Sequence, residues 1–380
     1  MHRLKSIQGA VWVLLVMLVA GTVPAGAFAQ QPTGTIEGRV SDPQGAVIAG
    51  ATVVVSQKET GFERTLTTAS DGTYRLTQLT PGNYNVAVTA QGFKRTVADN
   101  VTVQVGQNTA LDIELTIGGV GETVEIQGGE TQIDRVDQTI DGVVNTVQIA
   151  NLPLNGRNFL DLARLEPGAE TVDGGGFDPT KANYTGVSLG GAAGRSTQIS
   201  IDGGSVVDNV VGTTVQNFSQ EIIEEFQVGI SNQDVSSGAS STGVVNVITK
   251  SGSNDFHGNA YIYWRDDKFA AFPALNRLED TDRSDNVAVF ETDRVQFDRE
   301  QFGGSIGGPI VRDKAFFFFN TEYNNQDSVS IFNIPGGRIV GFNGAGAQPF
   351  NELLLTGRVD VMLNDKHTVF ARYSHDDNDQ

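Results

Sequence analysis

Residues able to do covalent or metal chemistry are scarce in this chain. It has no cysteine, which removes disulfides, thiolate nucleophiles and Cys-bound metals together. The four histidines are His2, His257, His367 and His375, and no two are spaced to chelate a metal. Glu221, Glu224 and Glu225 form the one conspicuous carboxylate cluster. On a helix, 221 and 225 share a face and 222 and 226 the opposed one, which predicts an ordinary amphipathic turn rather than an acid–base pair. Gly190-Gly191-x-x-Gly194 lacks the following Lys-Ser/Thr and the βαβ setting of a phosphate cradle. Asp42 and Asp71 read either as Ca²⁺ ligands or as carboxylates that close their own turns. No catalytic, cofactor-binding or metal site can be assembled, so the chain reads as a non-enzyme without cofactors.

The elements must therefore serve binding, transport or architecture. The sequence has 380 residues, 45 of them glycine, which argues for many turns and for strands over helices. Its net charge of −19 makes it a poor ligand for phosphate backbones, so no nucleic-acid partner is expected. Arg3 and Lys5 precede the apolar run Val11–Ala20, then Pro24 and Ala27-Phe28-Ala29 before Gln30. These are the three parts of a secretory signal, with cleavage expected after Ala29. The apolar run of about ten residues is too short to span ~30 Å of hydrocarbon. No other stretch can form a spanning helix, so membrane entry would require a β-barrel.

From Thr35 to Leu115, short alternating strands stand between turn signals: Asp42-Pro43-Gln44-Gly45, Ser70-Asp71-Gly72 and Pro81-Gly82. Ile36 and Val40, Tyr74 and Leu76, Tyr84, Val86 and Val88, and Val101, Val103 and Val105 mark inward faces. Such spacing predicts an all-β sandwich. Gly38-x-Val40-x-Asp42-x-x-Gly45, Gly50-Ala51-x-Val53, Asp71-Gly72-x-Tyr74, Leu79-x-Pro81-Gly82-x-Tyr84-x-Val86 and Gly92-Phe93 resemble the carboxypeptidase regulatory-like domain, a transthyretin-like, carbohydrate-binding-like sandwich. No clustered Trp or Tyr platform accompanies the match.

Gly118-Gly119-Val120-Gly121 reads as a linker, followed by Glu122-Thr123-Val124-Glu125-Ile126 and Gly128-Gly129. A short β-prone segment between glycines is either a terminal strand or one that adds to another protein's sheet edge. It resembles the TonB box of TonB-dependent outer-membrane receptors. Leu152-Pro153-Leu154-Asn155-Gly156-Arg157, a short helix through Leu162 and Leu165, Gln198–Gly203, Glu221–Val228 and Gly243–Gly252 follow in the order of that family's plug, and the first is similar to its Oar-like branch. Asp202-Gly203 reads as a turn ending a strand.

After Phe256 the connections alternate long and short. Strands are expected over 256–264, 301–310, 315–323, 353–363 and 369–373, with tight turns at Val311–Lys314 and Asn364–His367. Leu353, Leu355, Val359, Val361 and Leu363 line one face, and Thr356, Arg358 and Asp360 the other. Long loops, short turns and two-faced strands predict a transmembrane β-barrel with Arg and Asp facing its lumen. Phe316–Phe319 reads as an interfacial aromatic girdle or as a buried strand core. About five strands cannot close around a plug, so a fragment of a larger barrel is expected.

The expected fold is mainly β, in this order: signal peptide 1–29, sandwich 30–117, linker with the TonB-box candidate 118–129, α+β plug 130–252, and the first strands of an incomplete barrel 253–380. The resemblance implies a Gram-negative outer-membrane receptor with a periplasmic N-terminal domain. It also implies energised uptake, a TonB-type periplasmic partner, outer-membrane lipid, and an external ligand of carbohydrate, peptide or siderophore-like type. The alternative is a carbohydrate-binding or adhesive surface protein.

Overall fold

A computed structural model of the chain describes residues 33–119, 123–127, 140–152, 154–174, 183–231, 240–269, 296–332, 344–364 and 367–379. The expected cleavage site at Ala27, Ala29 and Gln30 lies outside the described residues, as do Glu122 and Gly128-Gly129.

The first unit is a two-sheet sandwich. Its strands are β1 (Gly34–Ser41), β2 (Thr52–Gln57), β3 (Phe62–Thr67), β4 (Thr73–Leu79), β5 (Gly82–Thr89), β6 (Arg95–Val103), β7 (Asn108–Ala110), β8 (Ile113–Glu114) and β9 (Thr123–Gln127). One sheet runs β4-β1-β7, with β8 also on β1; the other runs β3-β2-β5-β6-β9. Alternation sets the core: Val53, Val55, Tyr84, Val86, Val88, Val101 and Val103 face Ile36, Val40, Tyr74 and Leu76 across the sheets. Each such side chain contributes about 1.5–3 kcal/mol on burial. The chain between β7 and β8 passes so close to β1 that a Cβ on Gly38 would run into the Leu111 carbonyl. Asp42 Oδ1 accepts from the Gln44 and Ala46 amides, and Asp71 Oδ1 from the Thr73 amide and hydroxyl. Both carboxylates thus close their own turns, and the Thr73 hydroxyl bond holds Asp71 below the usual carboxylate range.

The second unit holds β10 (Ile140–Val144), α1 (Thr146–Asn151), β11 (Ala169–Asp173), β12 (Thr185–Leu189), β13 (Thr197–Ile201), β14 (Gly204–Ser205), β15 (Ile223–Ser231) and β16 (Gly243–Thr249). Its main sheet is ordered β10-β15-β16-β13-β14, parallel only at β13–β16, and β11–β12 form a separate hairpin. Asn145 and Gln148 make a reciprocal capping box at the start of α1. Asn158 caps the 3₁₀ helix Phe159–Leu165, which lays Phe159, Leu160 and Leu162 into the core. There the Phe159 ring meets Phe218 and Phe226 edge-on at 5.9 and 6.5 Å.

One expectation fails here. Gln220–Ile222 is a single 3₁₀ turn capped by Ser219, and β15 begins at Ile223. Glu221 and Glu225 therefore share no helix face. β-Branched Ile222 and Ile223 disfavour a helix, and Phe226 and Val228 pair with Val247 and Val245 on β16.

The third unit is an antiparallel meander of β17 (His257–Asp266), β18 (Phe297–Val311), β19 (Ala315–Phe332), β21 (Phe350–Asn364) and β22 (His367–Asp379), with β20 (Gly344–Ala347) on the far end of β19. β18 and β21 each have 15 residues. At ~3.3 Å per residue and ~45° tilt they rise ~35 Å, enough for an apolar band of ~25 Å. Ile262, Trp264, Phe302, Ile306, Tyr323, Val359, Leu363, Val369 and Tyr373 are exposed on one face, while Gln301, Asn320, Glu322, Thr356, Arg358 and Asp360 are buried on the other. The face assignment for β21 holds as expected. The Phe316–Phe319 run divides: Phe316 and Phe318 turn inward at 2% exposure, and Phe319 turns outward at 44%. Half of it faces inward, with Phe318 in the plug core, and half outward, because strand side chains alternate.

Candidate functional site

The polar faces of β19 and β21, with Gln301 of β18, are buried where the plug lies against them. At the centre is Asp202, at the turn after β13, with φ +50 and a side chain 1% exposed. Its Oδ1 accepts from the Thr249 amide at 2.9 Å and from Arg358 Nη1 at 3.1 Å. Its Oδ2 accepts from the Thr249 hydroxyl at 2.7 Å and lies 2.9 Å from Arg372 Nε. Arg358 also donates to the Thr249 carbonyl at 2.9 Å and, through Nη2, to Asp360 at 2.8 Å. Arg372 donates to the Ile201 carbonyl at 3.2 Å. Two arginines on β21 and β22 thus grip one plug carboxylate, with their other donors shared between side chains (Asp360, the Thr249 and Ser374 hydroxyls) and the Thr249 and Ile201 carbonyls. Buried charges in this state are held only because both signs are present and hydrogen-bonded.

A second grip sits at the Leu154-Asn155-Gly156-Arg157 loop. Gly156 (φ +83) and Arg157 (φ +55) turn the chain sharply, and a Cβ on Gly156 would stand 2.6 Å from Arg299 Nη1 on β18. The Arg157 guanidinium lies over the Tyr261 and Tyr263 rings of β17, 4.7 Å from each centroid. It donates to the Tyr263 hydroxyl at 2.9 Å and pairs with Glu221, which also takes Lys250 Nζ at 2.8 Å. Arg265 reaches Asn155 Oδ1 at 2.6 Å. Nearby, Glu322 on β19 accepts from Ser219 and Gln301, both at 2.6 Å, and from the Tyr261 hydroxyl. Asn217 donates its side chain to Glu352 at 2.7 Å and its amide to Asp376 at 2.8 Å. These contacts can hold or release a plug.

The TonB-box candidate falls on β9. Thr123 to Gln127 pair in parallel with Arg95 to Asp99 of β6, making β9 the edge strand of the sandwich. Ile126 packs on the sandwich core, and Thr123 and Glu125 are exposed. Its outer edge pairs with no strand among the described residues. Thr123, Val124, Glu125 and Ile126 are thus one strand, remote in role from the plug contacts. The residues missed from sequence are Asp202, Arg157 and Arg372. Their signal was a polar residue at positive φ beside an otherwise apolar strand, and a lone arginine on each alternating wall strand.

A sandwich, a plug and a lipid-facing wall with a polar bore define an outer-membrane β-barrel protein. Residues 35–116 match the carboxypeptidase regulatory-like domain family, and residues 248–336 the outer membrane beta barrel domain family. Over 314 residues, 80% of its length, the chain is 30% identical to TonB-dependent transporter Oar of Myxococcus xanthus, and it spans 28% of that protein. Among solved structures it is similar to the outer membrane transporter YddB from Escherichia coli (13% identity, TM-score 0.45, 63% of this chain and 33% of that one). It is also similar to a mutant of the ferric enterobactin receptor PfeA from Pseudomonas aeruginosa (17% identity, TM-score 0.43, 63% and 33%). The chain is an outer-membrane protein and a relative of the Oar-like TonB-dependent receptors.

Proposed function

We propose that the chain is the N-terminal part of a receptor that takes up an external solute across the outer membrane, driven from the periplasm by a TonB-type protein. The tight turn at Val311–Lys314 marks the periplasmic end of the wall, and the sandwich lies on that side. The observation that carries this reading is the plug held by Asp202 and Arg157 against the wall strands. A bore closed by buried ion pairs opens only when work is done on it. The receptor makes and breaks no covalent bond; it binds, holds and releases.

The coupling strand is β9. A partner strand adds to its free edge through backbone hydrogen bonds, so backbone changes matter more than side-chain changes. Val124→Pro fixes φ and removes an amide donor; Val124→Ala keeps both features. In the full-length receptor the Pro variant is expected to lose energised uptake while surface ligand binding and abundance stay unchanged, and the Ala variant to be mild. β9 is an edge strand whose one core contact is Ile126, so the buried cluster of the other strands does not depend on Val124. Normal uptake with Val124→Pro would remove β9 as the coupling strand, and a parallel fall in abundance would make it structural.

A further inference from the structure

One end of the sandwich is seated on the other two units. Its Glu59–Gly61 turn, between β2 and β3, accepts the Asn254 amide on the Glu59 carbonyl at 2.8 Å. Gly61 packs on Asp313 of the first tight wall turn, so closely that a Cβ there would meet the carboxylate. Asn254 and Asp313 clasp each other: the Asn254 side chain donates at 2.7 Å, and the Asp313 amide donates back at 2.8 Å. At the same end the turn after β6 meets the plug. The Val105 amide donates to Glu225 Oε2 at 2.8 Å, with Val105 0% and Glu225 6% exposed, and Gly106 rests on the Gln227 amide.

Glu225 is an odd choice for a permanent joint. A buried carboxylate held by one neutral backbone amide is costly when charged, whereas a glutamine of the same shape would accept the same hydrogen bond without a charge. The groups around it worsen the case. Glu224, adjacent on β15, is half-buried, and Glu59 and His257 stand near it. Lys250 is also near, but its Nζ is bound to Glu221. The 104–107 turn packed on Glu225 carries no charged side chain.

We propose that the sandwich is a detachable stopper on the plug, seated through its 59–61 and 104–106 turns, and that Glu225 is the proton-responsive catch that sets how firmly it sits. Burial pushes the Glu225 carboxyl up to about 7 from its ordinary 4.5. The seated state therefore holds a proton that the unseated state gives up. Seating is firmest below the ordinary carboxylate range, weakens as pH climbs toward 7, and is weakest above it. The proposal rests on the functional reading only for placing this face in the periplasm, and its test needs no transport.

Residues 1–380 contain no cysteine, so paired thiols can be introduced here without a native one beside them. Thr60→Cys with Asn254→Cys, in the full-length protein in its membrane, places two thiols across the seat. A short thiol-to-thiol crosslinker is applied from about pH 5.5 to about pH 8.5, and yields are normalised to a Ser56→Cys/Glu63→Cys pair within the β2–β3 hairpin. The normalised yield is expected to fall severalfold with rising pH, opposite to the rise that thiolate formation alone would give. Adding Glu225→Gln should hold the yield high throughout. No crosslink at any pH while the hairpin pair reacts would overturn the seating. An unchanged pH profile with Glu225→Gln would overturn the catch. Lost uptake in the Val124→Pro receptor would leave both outcomes as they stand.

Discussion

Asp202→Asn isolates the charge in the plug–wall grip. Asparagine tolerates positive φ almost as well as aspartate, so the turn at φ +50 should persist. The substitution keeps the shape and removes the negative charge facing two arginines. Arg358 retains Asp360 at 2.8 Å, but Arg372 loses its only carboxylate among the described residues. Breaking one side of a buried ion pair costs about 3–5 kcal/mol. The retained Asp360 pair, and the 15% side-chain exposure of Arg372, put the expected loss near the low end, about 3 kcal/mol. That is roughly a hundredfold in the opening equilibrium of this part of the plug. Amide hydrogen exchange in the membrane-embedded full-length protein reads it directly. Thr197–Ile201 and Gly243–Thr249 should exchange about a hundredfold faster, while the sandwich strands stay unchanged. Asp360→Asn, which leaves both Asp202 contacts in place, should move the same amides far less. A change below about threefold with Asp202→Asn would mean that packing, not this ion pair, holds the strand to the wall.

Other outcomes follow from the same structure. Gly38→Ala drives a methyl into the Leu111 carbonyl, so the isolated sandwich, residues 30–127 with β9 included, should lose about 1–3 kcal/mol in thermal or urea unfolding. The separated 256–380 segment, with Ile262, Trp264, Phe302 and Tyr373 outward, should aggregate in water and need detergent; a soluble, cooperative monomer would deny the lipid-facing assignment. Exported protein should begin at Gln30, and N-terminal sequencing that still finds Met1 would reject the signal segment.

Where side chains obey a simple period, the fold was legible. Alternation in Val101–Val103 and Leu353–Leu363 gave strands with the correct faces, because a pleated strand leaves each residue only two directions, while Val105, expected to continue the first, lies in the turn after it. Glu221–Glu225 misled because a short run fits both periods, and pairing with β16 decides it from outside the segment. The site was nearly invisible. Asp202 looks like any Asp-Gly turn until Arg358, distant in sequence, arrives at 3.1 Å. No local pattern encodes that meeting; it arises from how β13 and β21 are brought face to face. The β9 segment was ambiguous for the same reason, since its parallel partner Arg95–Asp99 lies outside any hairpin reach.

The order of the plug sheet has a mechanical consequence. Among the described residues the chain enters this sheet at β10, which pairs with β15 alone, while the parallel β13–β16 pair lies inside the sheet. A tug from the N-terminal side meets that outermost strand first and peels it with one neighbour's hydrogen bonds at stake. Tearing β13 from β16 would instead break an interior ladder along with the Asp202 grip beside it. The plug is thus built to yield in stages, its margin coming away under modest force while its middle stays folded against the wall.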